Sequence, residues 1–201
     1  MTASPPLHVA AVVPCTESEG PFSRWAIWTR GCTLRCPGCC NPELFERGTS
    51  EATPVQALLA DLERARRDHD VEGITILGGE PLEQLPGVTA LARGARALGL
   101  GVIVFSGHTL AQARERTDFE QLWMALDTFV DGRFEARALD HRRRFVGSTN
   151  QRIVHRTDRY RSEALWLGEA GAEARIAPDG TLSLHGSPAH VRQLLRQITT
   201  R

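Results

Sequence analysis

Trp28-Thr29-Arg30-Gly31-Cys32-Thr33-Leu34-Arg35-Cys36-Pro37-Gly38-Cys39-Cys40-Asn41 follows an apolar run and packs four of the chain's five cysteines into nine positions. Cys32, Cys36 and Cys39 form a CxxxCxxC array on a loop punctuated by Gly31, Pro37 and Gly38. A metal centre needs deprotonated thiolates that converge, and glycine accepts the backbone angles that tight wrapping requires. Three thiolates are one short of a structural zinc site, which takes four ligands. Cys40 is a poor fourth, because adjacent side chains seldom reach one ion together. A four-iron four-sulfur (4Fe-4S) cluster held by three cysteines instead leaves one iron open for a substrate or cofactor.

Around this loop the chain alternates strand and helix signals. Residues 7–13 and 25–29 are short β-leaning runs joined by a polar loop that contains Gly20-Pro21; Cys15, outside the array, reads as a small core or loop residue. Thr53 and Pro54 supply a helix start, and Val55, Leu58, Leu59, Leu62 and Ala65 mark one helical face up to about Asp70. Residues 73–77 are a buried strand that runs into Gly78-Gly79-Glu80-Pro81. A helix follows over 87–98, ended by Gly99, and then a strand over 101–105 closes on Ser106-Gly107-His108. A helical stretch over 109–125 is interrupted near Thr117-Asp118, and a strand from Thr128 leads into Asp131. This alternation predicts a parallel α/β arrangement whose notable polar residues sit at strand carboxyl ends, the edge where loops of barrel-like folds converge.

About five or six βα units fit before residue 155, too few for a full eight-unit barrel, so the expected fold is an incomplete TIM-type barrel over 1–155. Beyond Ser162 the pattern changes. Ala164-Leu-Trp-Leu167, Ala174-Arg-Ile176 and Thr181-Leu-Ser-Leu184, with a turn at Ala177-Pro-Asp-Gly180, predict antiparallel strands. Ser187-Pro188 then caps a helix with Val191, Leu194, Leu195 and Ile198 inward. Residues 156–201 are thus expected to form a small α+β appendage packed on the same domain.

Composition narrows the function. Hydrophobic content of 41% with 24% charged residues is that of a globular protein. A formal charge of zero argues against a nucleic-acid or membrane surface as main partner. All 24 basic residues are arginine, which removes Schiff-base lysine chemistry. No signal-peptide pattern and no run near the roughly 20 apolar residues that span a bilayer is present. A cytoplasmic protein is expected, where clustered cysteines bind metal or do redox work rather than pair.

The cysteine spacing together with Gly78-Gly79-Glu80-Pro81 resembles the radical S-adenosylmethionine (SAM) superfamily. Val130-Asp131-Gly132-Arg133-Phe134 and Arg144-Phe-Val-Gly-Ser-Thr-Asn-Gln-Arg-Ile153 sharpen the likeness to the activating proteins of anaerobic (class III) ribonucleotide reductase, over roughly residues 20 to 155. The resemblance implies a 4Fe-4S cluster on Cys32, Cys36 and Cys39, with SAM on the open iron. It further implies Gly38, Cys40, Gly78, Gly79, Glu80, Ser106, Asp131, Arg133, Asn150 and Gln151 around the cofactor. Glu80 would meet the SAM ammonium, Ser106 its carboxylate or ribose, and Asp131 with Arg133 its hydroxyl and carboxylate groups. Each has a plainer alternative as a turn, cap or surface residue, and His108 reads as a loop residue without a catalytic part.

The family commonly carries an aromatic residue after the third cysteine, where this chain has Cys40. That departure leaves the adenine-side packing open and gives Cys40 a possible redox or regulatory role. The implied activity is hydrogen-atom abstraction from a glycyl-radical enzyme, most simply anaerobic ribonucleotide reductase, with a flavodoxin or ferredoxin as reductant. Two readings stand beside it: a radical SAM enzyme modifying another peptide or protein, and a non-catalytic iron–sulfur or zinc protein.

Overall fold

The structure is a computed structural model that describes residues 5–49, 51–169, 171–176, 180, 182–187, 191 and 194–196. Strands β1 (Val9–Thr16), β2 (Arg24–Thr29), β3 (Gly73–Gly78), β4 (Gly101–Ser106), β5 (Thr128–Asp131) and β6 (Arg152–His155) form one sheet in chain order. Strands β2 to β5 are mutually parallel, while β1 and β6 pair antiparallel at the two edges. Helix α1 (Val55–His69) links β2 to β3, α2 (Leu85–Ala97) links β3 to β4, and the short α3 (Leu110–Arg114) and α4 (Phe119–Trp123) link β4 to β5. The fold is mixed α/β with a mainly parallel sheet. Within this sheet, α-helices follow only β2, β3 and β4 among the described residues, fewer than the five or six βα units expected.

Apolar periodicity explains the helical layer. Val55, Leu58, Leu62 and Ala65 of α1 and Val88, Leu91 and Ala95 of α2 are buried against Trp25, Ile27, Ile74, Ile76, Val102 and Val104, alternate residues of the strands they cover. Leu59 lies at the margin of this core. The expected start of α1 is corrected: Pro54 itself is the N-cap, and Thr53 pairs with Leu7 through two backbone hydrogen bonds of 2.7 and 2.9 Å. The helical break falls at Thr117-Asp118, where Asp118 adopts φ 71°.

The other sheet face is closed by the segment after β6. Residues 164–167, expected as a strand, begin in a 3-10 turn over Glu163–Leu165; Trp166 plugs into a small core with Ile103, Val130, Val146 and Tyr160, and the pairing is reduced to one isolated antiparallel bridge between Leu167 and Arg143. Below it, at the amino ends of the parallel strands, the fully buried Arg24 donates from Nε to Thr75 Oγ1 (2.6 Å) and from Nη1 to Tyr160 Oη (2.9 Å) and Glu72 Oε2 (3.1 Å). Removing one partner of such a buried pair is costly. Arg24→Met is expected to remove about 3 kcal/mol, lowering the melting temperature by roughly 6 to 12 °C for a chain of this size, readable by thermal denaturation; an unchanged melting temperature contradicts this view of the network.

Strands β7 (Ala172–Ile176) and β8 (Leu182–Gly186) form the expected antiparallel hairpin as a separate two-stranded sheet. Most of the expected turn at 177–180, and Thr181, lie outside the described residues, as do Pro188 and Ile198. Val191 and 194–196 are helical, but Leu195, expected inward, is 43% exposed. The hairpin meets the β1–β2 loop: Gly186 N–H donates to Glu19 Oε1 (3.0 Å), Glu17 N–H donates to Glu173 Oε1 (2.6 Å), and His185 lies 5.5 Å from the Trp28 ring.

Burial, countered by the Gly186 bond and reinforced by Glu173, raises the Glu19 carboxyl from 4.5 to about 8. A folded value above the unfolded one means this group's contribution is complete below the unfolded value and lost as pH rises through about 8. Glu19→Gln is therefore expected to match the wild type in acid and exceed its melting temperature above that pH, and parallel curves would contradict the assignment. Among the described residues no helix is long and apolar enough to cross a membrane.

Candidate functional site

The parallel register brings the motifs to one edge. Thr29 pairs with Gly78 and Ser106 with Asp131, so the cysteine loop, the Gly78–Pro81 turn, the Ser106–His108 turn and the Asp131–Arg133 turn all leave neighbouring strand tips. The cysteine loop is fixed at its base, where Gly31 N–H donates to Leu44 O and Cys32 N–H to Phe45 O, both 2.9 Å. Positive φ values at Gly31, Arg35 and Gly38 coil it, and Cys39 N–H closes a turn on Cys36 O at 3.1 Å. It then crosses its neighbours. Leu34 packs on Gly107, and Gly38 lies so close to Ala136 that a side chain there would start 2.8 Å from the alanine methyl. Thr33 donates from N and Oγ1 to Glu83 Oε1 at 2.6 and 2.7 Å.

Gly78 and Gly79 are required by this crossing. Gly78 has φ +113°, and a Cβ on Gly79 would sit 2.4 Å from Gly31 O. Gly79 N–H donates to Thr29 O (2.7 Å) and Glu80 N–H to Gly31 O (2.8 Å), stitching the two motifs backbone to backbone.

The Glu80 side chain turns inward. At 1% exposure its carboxylate accepts from Leu82 N–H (2.9 Å), Ser106 Oγ–H (2.9 Å) and Gly107 N–H (2.8 Å), while burial raises its pKa. It is a tie between the β3 and β4 tips, and Ser106 is the other half of that tie, also accepting from His108 N–H. Glu80 and Ser106, both expected beside SAM, thus stand at adjacent strand tips and bond to each other.

Asp131 is likewise enclosed. Arg152 donates to it from Nε (2.9 Å) and Nη2 (2.5 Å), and Leu110 N–H donates at 2.6 Å. Gln151 donates to Gly132 O (3.0 Å) and accepts from the N–H groups of Gly147 and Ser148, and Asn150 donates to Arg133 O (2.7 Å). Asn150 and Gln151 therefore clamp the turn after β5, and Arg133 is exposed beside it. The Asp131–Arg152 pair spans 21 residues and has no local signal in sequence. His108 sits half-buried with Nε2 2.9 Å from Arg116 Nη2; burial and the Arg116 and Arg133 charges lower its pKa, so the neutral ring accepts from Arg116.

All five cysteines are free thiols. A hydrogen bond from Cys40 lowers Cys39 to about 6 and correspondingly raises Cys40, with burial adding to the rise. Burial raises Cys32. Cys15 lies in β1, its sulfur 3.0 Å from Ser23 Oγ. Among the described residues no three Cys, His, Asp or Glu side chains converge tightly enough for a single metal ion. A cluster places its cysteines on different irons, so free, half-buried soft thiols spaced around one anchored loop fit an iron–sulfur cluster better than a lone zinc.

The chain belongs to the family described as 4Fe-4S single cluster domain, whose model matches residues 18–154, within the radical SAM activating proteins. It is 31% identical over 156 residues to the anaerobic ribonucleoside-triphosphate reductase-activating protein of Pasteurella multocida, covering 73% of this chain and 96% of that protein. It is 27% identical over 149 residues to the protein of that name from Salmonella typhi, 71% and 94% covered. With a 7-carboxy-7-deazaguanine synthase of Hyperthermus butylicus it shares 32% over 121 residues, only 48% of that protein.

Proposed function

We propose that this chain is a radical SAM activating enzyme that generates a glycyl radical on a partner such as anaerobic ribonucleoside-triphosphate reductase. The observation that carries the reading is the stitching of the three-cysteine loop to Gly78-Gly79-Glu80 at one strand-tip edge, in a chain that spans nearly the whole of an activating protein. Cys32, Cys36 and Cys39 would hold the cluster and leave one iron without a protein ligand. When bound, the cluster and SAM together supply one electron and a deoxyadenosyl group that removes a hydrogen atom from carbon.

The protein's part is positioning. Gly78 and Gly79 let backbone approach a ligand closely, Glu80 and Ser106 keep the β3 and β4 tips in fixed relation, and Asp131 with Arg152, Asn150 and Gln151 holds the Gly132–Arg133 turn at the rim. Gly38 brings the loop against Ala136, and Cys40 donates to the Cys39 sulfur. The six-stranded sheet is read as an open segment of a TIM-type barrel over 1–155, with 156–201 as its appendage, so a protein partner supplies the missing wall and excludes water. A flavodoxin or ferredoxin in the cytoplasm would be the reductant. Incubating the reconstituted, reduced protein with SAM and the reductase of the same organism is expected to produce the glycyl-radical doublet in its electron paramagnetic resonance (EPR) spectrum. Deoxyadenosine release without that doublet contradicts the partner.

A further inference from the structure

We infer that Glu83 and Gln84 are the positioning residues that hold the cysteine loop in register with the turn after β3, an inference that rests on the activating function above. Both follow the Gly78–Pro81 motif, in a 3-10 turn over Pro81–Gln84, and their side chains reach different ends of the loop.

Gln84, 8% exposed, takes the base. Its amide nitrogen donates to Arg30 O (3.0 Å) and His8 O (3.1 Å), and its Oε1 accepts from His8 N–H (2.7 Å). Glu83 takes the other end. Its Oε1 accepts from both the N–H (2.6 Å) and the hydroxyl (2.7 Å) of Thr33, the residue after Cys32, while Arg47 Nη2 donates to the Glu83 carbonyl (3.3 Å).

These bonds complete a series. Thr29 O accepts from Gly79, Arg30 O from Gln84 and Gly31 O from Glu80, and Thr33 donates to Glu83. Cys32 lies inside that run, its own N–H bonded to Phe45 O. The later cysteines are held otherwise, with Cys39 N–H closing on Cys36 O within the loop. Cys32 is therefore the thiol tied most directly to the Gly78–Gly79 backbone. A SAM molecule that meets both an open iron and that turn needs this distance constant, since a misplacement of about 1 Å is enough to cost activity. Thr33 and Glu83 stand 50 residues apart, which leaves no local signal of the contact in the sequence.

A plainer part is open to Glu83, as an acid in the first turn of the 3-10 segment. That part does not involve Thr33, which separates the two. Both Thr33 bonds also land on one oxygen, so an amide at position 83 can accept them and an alanine cannot.

The test uses the full chain as wild type, Glu83→Ala, Glu83→Gln, Thr33→Val, the Glu83→Ala/Thr33→Val double variant and Gln84→Met. In the apoprotein, the Thr33 amide is expected to exchange hydrogen roughly tenfold faster in Glu83→Ala than in wild type or Glu83→Gln. After anaerobic reconstitution and reduction, Glu83→Ala is expected to release deoxyadenosine per cluster roughly tenfold more slowly. Glu83→Gln stays within about twofold of wild type, a neutral acceptor replacing a charged one. Thr33→Val loses less, and the double variant matches Glu83→Ala, as residues acting through one contact do. Gln84→Met, assayed below its own melting temperature, also slows release. Wild-type release per cluster in Glu83→Ala and Gln84→Met, equal losses in Glu83→Ala and Glu83→Gln, or additive losses in the double variant overturn the positioning role and leave the activating function standing. A loaded wild type that releases no deoxyadenosine overturns the activating function and the positioning role with it. Equal Thr33 exchange in wild-type and Glu83→Ala apoprotein overturns the hold itself, whatever release shows.

Discussion

Cys36→Ala is expected to abolish the cluster and cut SAM cleavage by at least about 10³-fold, equivalent to about 4 kcal/mol of barrier. Cys32→Ala and Cys39→Ala should do the same, because in the proposed site each of the three thiolates binds a different iron and two would not retain the cluster. Cys15→Ala should leave iron and sulfide content unchanged: its sulfur faces Ser23 in the β1–β2 region. Cys40→Ala is the informative variant. Its thiol donates to Cys39 and holds that group near 6, so its loss lets Cys39 rise toward the ordinary thiol range and slows loading at neutral pH without removing a ligand. Iron and sulfide assays after anaerobic reconstitution separate these cases, and a Cys40→Ala protein with no cluster would place the third ligand at Cys40.

Gly79→Ala is expected to lower SAM cleavage roughly a hundredfold, the scale set by a 1 Å misplacement of reacting groups. The new methyl would start 2.4 Å from Gly31 O and 3.1 Å from Gly31 N, backbone that has no rotamer to yield. The loop must move outward one residue before Cys32. Overpacking of this kind costs about 1 to 3 kcal/mol, so the protein still folds while its two motifs come out of register. Gly171→Ala, with nothing within 4 Å, is the neutral control. Equal cleavage rates for the two variants would show that contact between the loops does not matter to the chemistry.

These effects rest on features of different legibility. The CxxxCxxC spacing and the Gly-Gly turn are local signals, and both were readable. Helices α1 and α2 and strands β3 and β4 follow from apolar periodicity, because burial on one side imposes it on the chain. The short elements did not follow. Ala164-Leu-Trp-Leu167 has the composition of a strand, but its tryptophan fills a gap beneath Tyr160, a tertiary demand that no local pattern records. Strand β6 was missed because Arg152–His155 offers only two central apolar residues at a sheet edge.

At the site, residue types were legible and orientations were not. Glu80, Ser106 and Asp131 stand at the expected strand tips, yet their side chains are taken up by Leu82, Gly107, Leu110 and Arg152. Such pairings depend on which loops meet, and that is decided by sheet order. The consequence is that these polar side chains tie neighbouring loops to one another.

The most direct test of the central claim is deoxyadenosine release by the anaerobically reconstituted, dithionite-reduced protein supplied with SAM. The account predicts deoxyadenosine and methionine in equal amounts, lost in Cys36→Ala. A protein that carries its full iron and sulfide complement and yet leaves SAM intact would contradict it.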